Sequence, residues 1–117
     1  MAFLEKVFRK EEELNIEEFL NNLDVEEENV YEDATALVKP INLVRDLDVD
    51  VIVNELKQGN FLLLNIGELK KRNAVKLREL VDTIRSKVDE LNGDLALVSH
   101  EKILVTPSKI KIVKKKA

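Results

Sequence analysis

The chain has 117 residues, 44% apolar and 36% charged, with a net charge of −4, which suits one soluble domain with a modest core plus a tail. It contains no cysteine and a single histidine, which excludes disulfides, thiolate nucleophiles and cysteine-bound metal centres. No apolar run approaches the roughly 20 residues of a membrane-spanning helix, and the N-terminus lacks the pattern of a signal peptide.

The total charge conceals a segregation. Residues 1–10 carry three basic groups against Glu5, residues 11–33 carry eleven acids and no Lys or Arg, and residues 34–117 hold sixteen basic and eleven acidic side chains. The chain therefore divides into a cationic head (1–10), an anionic connector (11–33) and a mildly cationic body (34–117).

At 100° per residue, Met1, Phe3, Leu4, Val7 and Phe8 fall in one arc of the head, with Glu5, Lys6, Arg9 and Lys10 opposite. Two phenylalanines backed by three cations form the pattern of a helix lying in a lipid headgroup plane. Ten helical residues span about 15 Å, too short to cross a bilayer. Lys6, Arg9 and Lys10 add about 1 kcal/mol each beside anionic lipid. In the connector, Asn15 and Glu18 make a capping-box-like start, and Ile16, Phe19, Leu20 and Leu23 recur at helical spacing, which predicts a short helix over 15–23. The remaining acids repel one another and read as a solvated linker.

The body is expected to open with a strand at about Thr35–Val38, ended by Lys39-Pro40. A helix follows, with Asp48 as its N-cap, Val49, Ile52, Val53 and Leu56 as its buried stripe, and Gly59 at its C-terminal end. The run Phe61-Leu62-Leu63-Leu64 leaves neither face polar and reads as a central strand within Asn60–Ile66, parallel to the first. A long helix over Asn73–Leu91 carries Ala74, Leu77, Val81, Ile84, Val88 and Leu91, with Val75 and Leu80 widening the stripe. Asn92-Gly93-Asp94 turns the chain into strands at Leu95–Val98 and Ile103–Thr106, joined at Ser99-His100-Glu101-Lys102. The alternation in Lys109–Val113 predicts a final edge strand.

The order β-α-β-α-β-β-β describes an α/β two-layer open sandwich: a mixed sheet of about five strands with two helices on one face. The bare face exceeds the apolar patch that a soluble monomer usually exposes, so a second copy is its simplest cover and a homodimer is expected. No catalytic constellation is visible: His100 stands alone in a turn, and the three glycines are too far apart for a phosphate loop. No metal or cofactor is expected. Lys70, Lys71, Arg72, Lys76, Arg78, Arg85 and Lys87 cluster around one helix, yet the body's only aromatic, Phe61, lies in a core strand, so no nucleic acid is expected. A cationic body suits an acidic peptide equally well.

Val38-Lys39-Pro40, Gly59-Asn60-Phe61-Leu62-Leu63-Leu64-Asn65-Ile66, Leu80-Val81-Asp82, Asn92-Gly93-Asp94-Leu95 and Glu101-Lys102-Ile103-Leu104-Val105-Thr106-Pro107-Ser108, in that order and spacing, resemble the SepF family of cell-division proteins. Ser86 stands where bacterial members commonly carry a glycine, so the chain is more similar to the archaeal branch. The resemblance implies a non-enzymatic homodimer, attached peripherally to the inner face of the cell membrane at the division site, that binds the C-terminal peptide of FtsZ. It implies insertion of Phe3, Leu4, Val7 and Phe8 with Lys6, Arg9 and Lys10 on anionic lipid. The peptide is expected in an apolar groove near the second helix and last hairpin, at Arg85, Val88, Leu97, Lys102 and Ile103. A small ACT-like ligand-sensing dimer and an RNA-binding module are the alternatives.

Overall fold

In the computed structural model, residues 15–24 and 31–115 are described. The chain divides into two units, Met1–Asp33 and Ala34–Ala117. In the first, residues 15–21 form helix α1 and Asn22–Asp24 continue as a 3-10 turn. Ile16, Phe19, Leu20 and Leu23, set three and four residues apart, are all exposed.

The second unit is organised around β2, Phe61–Asn65. It pairs in parallel with β1 (Val38–Asn42) and antiparallel with β4 (Lys102–Thr106), while β3 (Asp94–Ser99) pairs antiparallel with β4, so the order across the sheet is β1-β2-β4-β3. Strand alternation sorts the side chains between two faces. Leu62 lies opposite Val105, Leu64 opposite Ile103, and these four are buried. The helices lie over that face: α2 (Asp46–Lys57) presents Val49, Ile52 and Leu56, and α4 (Ala74–Glu90) presents Leu80, Ile84 and Val88, closing one continuous core. Each such side chain contributes about 1.5–3 kcal/mol when fully removed from water. Leu80 sits at the centre of the α4 stripe, whereas Val75 is exposed.

On the opposite face from α2 and α4, Pro40, Leu63, Leu104 and Ala96 stand in register across all four strands as a row of apolar side chains. Val38 and Phe61 extend the patch at one end.

The first strand starts three residues later than its sequence suggests and runs through Pro40 rather than stopping before it. The Phe61 N–H donates to the Leu37 carbonyl and the Leu43 N–H donates to the Asn65 carbonyl. Odd-numbered residues of β1 therefore turn their backbone toward β2, and Pro40 points its missing donor out of the sheet edge, where it costs no ladder bond. Asp48 is the third residue of α2 rather than its cap: its carboxylate accepts from the N–H groups of Val44 and Arg45 at 2.9 and 3.0 Å, satisfying the approach to the helix. Gly59, at φ +88°, ends the same helix where a side chain would be strained.

Two further expectations are corrected. A helix, α3 (Gly67–Arg72), separates β2 from α4; it escapes the periodicity because only Leu69 anchors it to the core. Lys109–Val113 does not form a fifth strand. Its Ile112 N–H donates to the Asp94 carboxylate at 2.8 Å instead of to a strand carbonyl, and the Ile110 carbonyl is taken by the Thr106 hydroxyl. The segment lies beside β3 as an irregular strap, and the described sheet has four strands.

Candidate functional site

The α4 stripe faces the sheet, and its next row along, Val81, Arg85 and Asp89, repeats every four residues and so projects from one side of the helix. That side meets β3, the edge strand opposite β1. Between them lies an open groove of about 480 Å3, with Leu95, Leu97 and Ile103, side chains of the helix-covered face, supplying the sheet wall. Leu97 is 64% exposed despite its size, so the groove displays apolar surface that the fold itself does not use. Arg85 stands among these groups with no carboxylate bonded to it among the described residues.

Asp94 and Lys114 complete the lining. Asp94 accepts from the Leu95 N–H at 2.9 Å, the Ile112 N–H at 2.8 Å and the Lys114 Nζ at 2.9 and 3.0 Å. The Lys114 ammonium, helped by the two backbone donors, pulls its carboxyl down to about 2. The strap is fastened further by Lys111, whose Nζ donates to the carbonyls of Asn92 and Gly93, and by the Lys109 N–H on the Asn92 carbonyl. Asn92 adopts φ 61°, a left-handed conformation that asparagine tolerates better than most residues. The strap is thus held by polar tethers around the start of β3.

Of the residues singled out from the sequence, Arg85, Leu97 and Ile103 come together on this groove. Val88 does not line it; the side chain is fully buried between α4 and the sheet. Lys102 alternates with Ile103 along β4, pairs with Asn65 and Ser99, and points to the bare face. Val81 and Asp89 were recoverable from their spacing of four around Arg85, but nothing local ties Lys114 to Asp94, twenty residues away. Phe3, Leu4, Lys6, Val7, Phe8, Arg9 and Lys10 lie outside the described residues. Among the described residues no helix is long and apolar enough to cross a membrane, and no group of three acidic or histidine side chains could hold a metal ion.

The model of the cell division protein SepF family matches residues 38–112, from the first residue of β1 to the strap. The chain belongs to the SepF family. Solved structures of the family share the fold: a SepF-like protein from Archaeoglobus fulgidus (TM-score 0.64, 20% identity, 69% of this chain and 96% of that one) and a SepF-like protein from Pyrococcus furiosus (TM-score 0.61, 24% identity, 76% and 100%). A third, the cell division protein SepF from Methanobrevibacter smithii, was solved in complex with FtsZ-CTD (TM-score 0.54, 16% identity, 68% and 99%). No curated protein matches the chain. Membership in SepF makes this a cell-division protein.

Proposed function

We propose that this SepF-family chain is a non-enzymatic tether that holds the C-terminal peptide of FtsZ at the inner face of the cell membrane. The observation that carries the reading is the groove between α4 and β3, lined together by Arg85, the exposed Leu97 and the edge of the buried Ile103. A short peptide docks by filling such a surface with a few apolar side chains while a cation fixes its register. The FtsZ-CTD complex of the Methanobrevibacter smithii protein supports the choice of partner. The amphipathic pattern of residues 1–10 supports the membrane end of the tether, with Phe3, Leu4, Val7 and Phe8 inserted and Lys6, Arg9 and Lys10 on anionic headgroups. The acidic connector separates the two. Pairing of two copies through the bare sheet face doubles both ends, which raises avidity without new contacts.

Titration of the full chain with the FtsZ C-terminal peptide tests the reading. Saturable binding is expected, abolished by Leu97→Asp, which places a charge in the groove at a position already exposed. Co-sedimentation with vesicles containing anionic lipid is expected for the full chain and not after removal of residues 1–10. Absence of peptide binding at high concentration refutes the partner, and vesicle binding unchanged by the deletion refutes the anchor.

A further inference from the structure

The strap raises a question that the fold alone does not answer. It adds no strand to the sheet, and Val113 is 89% exposed. Yet it is tied down at Thr106, Asn92, Gly93 and Asp94, and the last of these ties sets Lys114 into the lining of the groove. An ammonium has three donors and Lys114 directs its contacts here to the two oxygens of Asp94. At 54% side-chain exposure it keeps a solvent-facing donor as well. Two acids line the groove, Asp89 and Asp94; the charge of Asp94 is answered by Lys114 and by two backbone N–H groups, which leaves Arg85 and the outer donor of Lys114 against Asp89 alone.

We propose that the strap is a working wall of the peptide groove, in which Lys114, positioned by Asp94, joins Arg85 to select a peptide carrying a carboxylate beside its apolar anchors. This rests on the reading of the groove as the FtsZ-peptide site and adds the chemistry that the peptide must bring. Val81, Leu97 and Ile103 take the apolar side chains. Arg85, unpaired among the described residues, and the free donor of Lys114 take the carboxylate. Asp94 is a positioning residue: it touches no peptide and acts through Lys114.

The test uses the full chain with the FtsZ C-terminal peptide and with a version in which its Asp and Glu side chains are replaced by Asn and Gln. Exposed ion pairs are worth about 0.2–1 kcal/mol, so Lys114→Ala is expected to weaken the acidic peptide about 1.4- to fivefold and to leave the neutralised peptide unaffected. Arg85→Ala is expected to show the same selectivity, and the effect of Lys114→Ala is expected to shrink as salt is raised. Asp94→Asn is expected to reproduce the loss, with the fold followed by circular dichroism. Lys114 is exposed, so its substitution keeps the body intact and carries the test even if Asp94→Asn loosens it. Equal loss for both peptides, or no loss for either, overturns the role of the strap while leaving the groove as the binding site. If the parent chain binds neither peptide, the underlying reading falls and this one with it.

Discussion

Two glycines of this chain look alike in sequence and differ in what surrounds them. A methyl group at Gly93 would run into the carbonyl oxygen of Thr106, a backbone atom held in the sheet, whereas at Gly67 it would meet the carboxyl end of the Glu101 side chain at 2.7 Å, which can swing away. Gly93→Ala is therefore expected to cost about 1–3 kcal/mol, as overpacking of a rigid site does, and Gly67→Ala well under that; urea unfolding of the two variants gives the comparison. The Asp94 clasp has a pH dependence of defined sign. Its carboxyl is lowered from an ordinary value of 3.8 to about 2, chiefly by Lys114. Deprotonation thus favours the clasped state, whose contribution is complete above about pH 4 and is lost as pH falls toward 2. The amide resonance of Ile112 is expected to shift and lose protection over that interval, before the amides of β2; loss of protection as pH rises instead would contradict the clasp.

At the level of elements, strand β1 is one of the two edges of the sheet and depends on side-chain fastenings. Asn60, nearly buried, accepts from the Leu37 N–H at 3.1 Å and donates to Glu55 at 2.9 Å, while Glu55 also pairs with Lys39 at 2.9 Å. These contacts, Lys39 first, hold the Glu55 carboxyl below its usual range. Asn60→Ala leaves the Leu37 donor without its partner and is expected to cost about 1–3 kcal/mol, with faster hydrogen exchange at the β1 end than at β4. Much of this architecture was legible in the sequence. Phe61-Leu62-Leu63-Leu64 announces a strand apolar on both faces, and Val49, Ile52 and Leu56 announce the covering helix, because burial imposes those periods directly. The strap departs from its sequence pattern for a physical reason: Ile110 and Ile112 alternate with lysines as in an edge strand, but pairing is decided by where the N–H groups go, and Ile112 gives its own to a side chain. Arg85, Leu97 and Ile103 were legible through family resemblance. Asp94 and Lys114 were not, since their meeting depends on the path of the chain after β4.

For the whole molecule, the decisive feature is that α2 and α4 cover the same face of the sheet, leaving Pro40, Leu63, Leu104 and Ala96 in line on the other. A row spanning four strands is self-complementary under a two-fold axis, since each copy offers the other the same apolar stripe. The surface of α4, by contrast, is punctuated by charge, with Lys76 tied to Asp46 and Lys87 to Glu90. The full chain is accordingly expected to sediment as a dimer. Leu104→Lys puts an ammonium at the centre of the row, on a half-buried side chain pointing away from the core; it is expected to yield a folded monomer with unchanged helical circular dichroism. In that monomer, binding of the isolated FtsZ peptide is expected to persist, because its groove lies at the α4–β3 edge of a single copy, whereas retention on anionic vesicles is expected to fall by more than twofold as paired engagement is lost. A parent chain that stays monomeric when concentrated, or a Leu104→Lys variant that still sediments as the dimer, would exclude the sheet face as the contact between copies.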